Sequence, residues 1–514
     1  MSSAGLAEGD SLPTFWSLVD SAAHHHPDRV ILGDSYGRTL TTLELREAAE
    51  SVAVGLNLGP ESIIAWQLPN SLEAIVLLAA ASRVGAVQSP IIPILREREL
   101  EAISSQISAS VIVVPETWRG YSHGEAARRI GAQIDATVVA LDFDRRPGPT
   151  LRLPTGRPAI LPPPPAESDR SRWIFFSSGT TGAPKGVRHS DASLIASSYS
   201  MTDRLGIAEG DVYPIGWPVA HIGGTNMTVT VLRRGGRLVL FDSFDPGTFG
   251  DLVASFRPTV LGSALPFFRS YLDAQHRHGP EPLYPKLRVC TAGGAPTPPN
   301  IIEAIANTFG LPGVVNSWGL TEFPIACCPS CDDPPDKLSN TVGRASPGVE
   351  VRVVDGELRL KGPQCFLGYV DGALDAEAFD DEGWFRTGDL GEIDDEGYVR
   401  ITGRSKDIII RNGENIAPAE LEEILRRHPG IADVAVLGVP DEKTGERVVA
   451  VVVTHPGWSV TMDDVRGHFQ SADVARQKTP EQVVTVTTIP RNPMGKVLKD
   501  DLRDAVEGRL IDHS

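Results

Sequence analysis

The spacing of apolar positions changes along the chain, and the changes divide it into regions. Residues 41–56, TTLELREAAESVAVGL, place apolar side chains at helical spacing and predict an amphipathic helix. SIIAWQL (62–68) predicts a short strand, and PNSLEAIVLLAAASRVGA (69–86) an alanine-rich helix. SVIVVP (110–115) and TVVALD (137–142) predict buried strands. Strands separated by helices imply an α/β layer with parallel strands. Eight prolines between 147 and 165 fit neither helix nor sheet and predict an extended connector. It leads into RWIFF (172–176), an apolar strand. A second α/β run follows, with strand-to-loop candidates in GRLVLFD, PTVLGSA and KLRVCTAGGAP.

From 341 to 403 the pattern becomes short strands and tight turns, with Asp355-Gly356 and Glu396-Gly397 as hairpin turns. From about 407 the mixed α and β pattern returns in a smaller unit, so a boundary is expected near Gly403 to Asp407. No internal repeat interrupts this order. At 514 residues, with roughly 150 per domain, two to four domains or subdomains are expected.

Composition narrows the class. A hydrophobic share of 41% is ordinary for a globular protein. The most apolar run, AIVLLAAA (74–81), lies between Glu73 and Arg83 and is far short of the roughly 20 residues of a membrane span. MSSAGLAEGD has no basic start and no apolar core, so no signal peptide is expected. Five cysteines suit a reducing cytoplasm better than a disulfide framework. A net charge of −18 argues against nucleic acid and anionic membrane surfaces as partners. It leaves room for a small anion held by local amides and a few cations.

The segment after the RWIFF strand is SSGTTGAPKGV (177–187). Glycines let a ligand approach the backbone closely. Clustered N–H groups, hydroxyls and Lys185 suit phosphate oxygens. The loop does not match a Walker A motif, because Gly186 follows Lys185 where Ser or Thr is required. Taken alone, it is equally a surface loop. Four more segments accompany it: NSWGLTE (316–322), WFRTGDL (384–390), GRSKDIIIRNGENIAPAELEE (403–423) and PRNPMGK (490–496).

In their order and spacing these five segments resemble the ATP-dependent adenylate-forming superfamily of acyl-CoA synthetases, luciferases and adenylation domains. The resemblance covers nearly the whole chain. It implies an α/β protein with a large N-terminal domain (1–403) of two α/β subdomains plus a β-rich subdomain. A hinge (404–407) and a small mobile α+β C-terminal domain (408–514) follow. It also implies ATP, Mg²⁺ and CoA as cofactors, a carboxylic acid as partner, and leaves a homodimer open. A carboxylate attacks the α-phosphorus of ATP to give acyl-AMP and pyrophosphate; a thiol then takes the acyl group.

Carried over by this resemblance, Ser177, Ser178, Gly179, Thr180, Thr181, Gly182 and Lys185 would hold the β- and γ-phosphates. Thr181 and Glu322 would lie near Mg²⁺, and Thr321 would contact the α-phosphate. Gly293, Gly294 and Ala295 would flank the adenine, with Asn316, Trp318 and Gly319 in the same nucleotide site. Asp389 would take the ribose hydroxyls, with Arg404 beside it. Lys496 would neutralise charge on the α-phosphate, Lys406 would be the hinge, and Gly413 would lie along the CoA pantetheine. Individually these have plainer readings: Asp389 as a turn residue, Lys496 as a solvated lysine. The superfamily usually has Tyr at Trp318, and Thr at Ser177.

GWPVAHIGG (216–224) resembles the segment closing the carboxylate pocket, with His221 as the superfamily's mobile His. Ala220, Gly223 and Gly224 leave volume, and Trp217 and Trp318 offer apolar walls, which implies a roomy, apolar acyl pocket. No Asp stands here to bind an ammonium, which argues against α-amino acids. A fatty, alicyclic, aromatic or steroid side-chain acid remains. The acceptor is CoA or a carrier-protein thiol, and a silent nucleotide-binding protein is the reading from another class. Cys328 and Cys331 at C-x-x-C spacing lack a second pair for zinc and read as a loop with small thiols. His24, His25 and His26 read as a helix end before Pro27.

Overall fold

The structure, a computed structural model, describes residues 12–144, 147–158, 161–177, 184–295, 297–411, 414–441, 444–472, 478–492 and 495–511. The chain divides into two compact units, Met1–Val351 with Leu360–Phe385, and Arg352–Arg359 with Arg386–Ser514. Both are mixed α/β.

The first unit is organised by a six-stranded sheet. Its order is Thr137–Leu141, Val111–Pro115, Ile63–Trp66, Val87–Pro90, Ser171–Ser177 and Lys185–Ser190. The first five run parallel, and the last is antiparallel to its neighbour. Val111–Pro115 is buried at all five positions, as a parallel strand covered on both faces must be. Thr137–Leu141 was expected to be buried too, but only Leu141 is, because this strand is the sheet's edge. The expected amphipathic helix is Thr42–Gly55, started by a reciprocal cap between Thr41 and Glu44. Among the described residues, the proline-rich connector carries neither strand nor α-helix.

A second sheet orders Thr39–Thr41, Val30–Asp34, Arg237–Leu240 and Val212–Ile215. A third, all parallel, holds Val260–Leu261, Val289–Gly293 and Val314–Ser317. The strand expected in PTVLGSA shrinks to two residues, because Ala264 already caps the helix Leu265–His278 and Pro266 occupies its first turn. The His24–His26 run is the end of the helix Phe15–His25.

The four-stranded sheet Glu350–Val354, Glu357–Lys361, Phe385–Ile393 and Val399–Arg404 lies mostly in the second unit. Asp355 (φ 51°) and Gly356 (φ 82°) are both left-handed, the signature of a type I′ hairpin turn. The other expected hairpin turns at Gly397 (φ 83°). A five-stranded sheet follows, its long pair Ile431–Asp441 and Gly445–Thr454 antiparallel. Strand alternation sends Val434 and Val436 to one face, with Leu421, Leu425 and Phe469, and Ala435 and Leu437 to the other, with Leu502 and Val506.

The helix Leu72–Val84 is buried along all 13 residues, capped by Ser71 and ended by left-handed Gly85. Glu73 is therefore a carboxylate with no access to water. Arg38 grips it with two hydrogen bonds (2.9 and 3.0 Å), and Arg152 adds a third at 3.3 Å. Burial alone would raise its pKa, but the Arg38 hydrogen bonds and charge outweigh burial and hold it below the usual range. Removing one partner of a buried pair strands the other. Glu73→Ala is expected to cost about 3–5 kcal/mol in urea unfolding; a loss below about 1 kcal/mol, the size of a surface pair, would refute this. No helix among the described residues is long and apolar enough to cross a membrane.

Candidate active site

The 177–187 segment links two paired strands of the six-stranded sheet. Ser177 pairs with Lys185 across an antiparallel hairpin, so both ends of the loop are pinned by the sheet. Ser178, Gly179, Thr180, Thr181 and Gly182 lie outside the described residues. The segment Leu367–Val370 runs along the second hairpin strand, with Leu367 N–H donating to Arg188 O and Val370 N–H to Gly186 O (both 2.8 Å). This places the Tyr369 ring under the Lys185 ammonium, 5.7 Å from Nζ to centroid.

Tyr369 also reaches the second motif. Its hydroxyl donates to Glu322 Oε1 at 3.0 Å. Burial, then the Glu322 charge, pushes the phenol well above its usual pKa, so it stays protonated and keeps donating. Phe366 N–H donates to Glu322 O (2.9 Å), and buried His189 bonds Thr321 O through Nε2 at 2.8 Å. Thr321 and Glu322 are thereby held from both sides. Neither Tyr369 nor His189 was found by sequence reasoning. The aromatic flanked by glycine in LGYV was the one available signal for Tyr369, and nothing in the chain order links His189 to Thr321.

Asn316 lies on the strand Val314–Ser317, beside Val289–Gly293, with Ala292 opposite Asn316 and Gly293 opposite Ser317. Gly294 has φ 81° and Ala295 follows, half-buried. A Cβ on Gly319 would meet the Ile325 nitrogen at 2.4 Å, so only glycine fits there. Trp318 is buried, its backbone paired with Cys327. The paired strands thus bring Gly293 beside Asn316 and Ser317, and Trp318, Gly319, Thr321 and Glu322 follow directly along the chain.

His221 caps the helix Ile222–Arg234, with Gly223 N–H donating to its Nδ1 at 3.2 Å. Burial pushes its pKa down to about 4, so the ring is neutral near pH 7. With Nδ1 accepting, the ring proton sits on Nε2. His221 and Thr321 line a small cavity of about 30 Å³ whose other walls include Ile92, Leu95, Phe175, Phe176 and Ala220. Trp217, Trp318 and the glycine pair are not among its lining residues. A Cβ on Gly224 would meet Val219 Cα at 2.4 Å, so that glycine serves a close backbone approach.

In the second unit, Asp389 and Arg404 face each other across paired strands, and Arg404 Nε donates to the buried Asp389 carboxylate at 2.8 Å. Lys496 follows a tight turn in which Gly495 is left-handed (φ 82°) and Asn492 Oδ1 accepts the Lys496 N–H at 2.9 Å. Burial first, then the charges of Arg404 and Lys406, pull the Lys496 ammonium down to about 8, against Asp407 and Asp389. Asp389, Arg404, Lys406 and Lys496 therefore share one electrostatic neighbourhood. Gly413 lies outside the described residues.

These residues suit a nucleotide. Two cations, Arg404 and Lys406, and two carboxylates, Asp407 and Asp389, act on Lys496, and Arg404 already engages Asp389. No group of three or more His, Cys, Asp or Glu among the described residues could hold a metal ion by itself. A Mg²⁺ carried mainly by phosphate oxygens and water, with one carboxylate such as Glu322, fits that donor set. Cys328 and Cys331 instead donate to the Pro329 and Arg204 carbonyls (3.4 and 3.1 Å).

Residues 19–370 match the AMP-binding enzyme family, and residues 420–496 match the AMP-binding enzyme C-terminal domain. A medium-chain fatty-acid–CoA ligase of Escherichia coli (strain K12) is 32% identical, over 98% of this chain and 92% of its own. A salicyl-AMP ligase / salicyl-S-ArCP synthetase of Mycobacterium tuberculosis (strain H37Rv) is 31% identical, over 96% and 91%. The crystal structure of ATP-bound MatB from Rhodopseudomonas palustris superposes with a TM-score of 0.82 at 28% identity, covering 95% of this chain and 98% of that one. With the family match spanning most of its length, the chain belongs to the AMP-binding enzymes, the adenylate-forming acid–CoA ligases that work with ATP, Mg²⁺ and CoA.

Proposed function

We propose that the chain activates a hydrophobic carboxylic acid of medium length or bulky ring shape to its CoA thioester. The observation that carries this is the cavity lined by Ile92, Leu95, Phe175, Phe176 and Ala220, with His221 and Thr321 as its polar members. An apolar cavity with a few convergent polar groups selects by shape and orients by hydrogen bonds. The carboxylate attacks the α-phosphorus of ATP, forming acyl-AMP and releasing pyrophosphate. The CoA sulfur then attacks the acyl carbon and AMP leaves.

Neutral His221 suits a hydrogen bond to the carboxylate without trapping it as an ion pair. The 177–186 loop, with Lys185, holds the β- and γ-phosphates, and Thr321 the α-phosphate. Asp389 takes the ribose hydroxyls, with Arg404 orienting its carboxylate. Lys496 meets the charge that grows on the α-phosphate as pyrophosphate departs. Mg²⁺ supplies further charge neutralisation on the phosphates from beside Glu322. Lys406 serves as the hinge and Gly413 borders the pantetheine. Few cysteines and no disulfide among the described residues fit work in a reducing cytoplasm.

A panel of acids in a pyrophosphate-release assay tests this. Medium-chain fatty acids or fused-ring propanoates are expected to drive release, and amino acids or short sulfonated acids are not; no release with any hydrophobic acid would refute the reading. Product analysis with CoA and with a phosphopantetheinyl carrier identifies the acceptor, CoA being expected.

Ala220→Leu is expected to lower kcat/KM for the bulkiest accepted acids by about 10- to 200-fold, the worth of a misfit methylene or two. The ATP KM should change little. An unchanged acid profile would remove the cavity from the acid site.

Lys496 acts protonated, so its contribution is lost as pH rises through its pKa. In the free enzyme kcat/KM for ATP should fall above about pH 8. Lys406→Met removes one of the charges depressing Lys496, so this alkaline limb should move up. A limb that stays in place would detach it from Lys496.

A further inference from the structure

Two walls of the cavity come from distant parts of the chain. One is the 92–95 segment after the strand Val87–Pro90. The other is the 220–222 segment after Val212–Ile215, which belongs to a different sheet. Between the strand Ile63–Trp66 and the cap Ser71 lie four residues, Gln67-Leu68-Pro69-Asn70, and two of them reach these walls.

Gln67 is fully buried. Its Nε2 donates to Ile92 O at 3.1 Å and Leu95 O at 3.0 Å. Its Oε1 lies 3.0 Å from His123 Nδ1. With both amide protons committed to carbonyls, Oε1 is the acceptor, so His123 carries its proton on Nδ1. Asn70 is also buried. Its Nδ2 donates to Ile215 O at 3.2 Å and Trp217 O at 2.8 Å, and its Oδ1 accepts the Val219 N–H at 2.8 Å. Val219 is followed directly by Ala220 and His221, and His221 N–H donates to Pro218 O at 3.1 Å.

Both amides are saturated, and neither can flip without setting oxygen against a carbonyl. The segment that carries them is itself immobilised. Gln67 N–H bonds Val113 O at 2.8 Å, Pro69 restricts its φ, and Ser71 begins the all-buried helix anchored by Glu73. We infer that Gln67 and Asn70 are positioning residues that fasten the two walls of the acid cavity to one rigid segment, fixing its width and the placement of His221. This rests on the cavity being the acid's site.

The test compares Gln67→Met and Asn70→Ala with the wild-type enzyme, measuring acid KM, ATP KM, acid-size profile and thermal midpoint. A misplacement of about 1 Å can cost on the order of 100-fold. The expected result is an acid KM raised about 10- to 100-fold with ATP KM within about threefold, and a flattened preference among acid sizes. Where Asn70→Ala fails to fold, Asn70→Ser, which keeps one hydroxyl to bond the turn, carries the same comparison. Acid and ATP KM rising together, or a lower thermal midpoint with the acid profile intact, would overturn the inference and leave a merely structural role. Ala220→Leu separates the two ideas. If it shifts acid preference while the Gln67 and Asn70 variants do not, the acid site stands and the clamp falls. If Ala220→Leu itself changes nothing, the cavity reading falls with it.

Discussion

Burial of the Lys496 ammonium beside Arg404 and Lys406 is the constraint on which the second unit's chemistry turns. Arg404 and Lys406 act on a half-buried ammonium, while Asp389 is already engaged by Arg404. Burial first, and the like charges of Arg404 and Lys406 after it, lower the lysine to about 8. A bound polyanion opposes that lowering. The arrangement therefore stabilises negative charge more than it stabilises itself, which is what transferring an adenylyl group requires. The turn that presents Lys496 needs Gly495 in the left-handed region and Asn492 as a brace.

The first unit meets the opposite requirement, shape rather than charge. Its cavity is bounded by segments that follow strands of different sheets, and apolar packing alone would leave their spacing adjustable. Buried amides and one buried ion pair supply direction where packing cannot. Glu73, Gln67 and Asn70 fall within seven residues, so the end of one central strand carries anchors for several elements. His189 and Tyr369 do the same for Thr321 and Glu322.

Elements whose determinants are local were legible in the sequence. The amphipathic helix of 41–56, the alanine-rich helix of 69–86 and the Asp355-Gly356 turn each need only neighbouring residues. The motif segments were legible as segments, because each is short and their order is fixed. What joins them was not. Tyr369 and Glu322 are 47 residues apart, His189 and Thr321 132, Asn70 and Trp217 147. No periodicity encodes such pairs. The expected tryptophan walls illustrate the same limit. Trp217 and Trp318 were read as apolar walls, and neither lines the cavity beside His221, which Phe175 and Phe176 of the sheet do. Gly224 looked like spare volume and proved to be a backbone contact.

The account's central claim is that Lys496 serves acyl-AMP formation by stabilising charge in its transition state. The most direct measurement separates the two half-reactions in Lys496→Ala. Pyrophosphate release from ATP and acid is followed in one assay, and thioester yield from synthetic acyl-AMP and CoA in the other. The account predicts that the first falls by about 100- to 1,000-fold while the second stays near the wild-type rate. Normal pyrophosphate release by the variant would contradict it, and so would an equal loss in both steps.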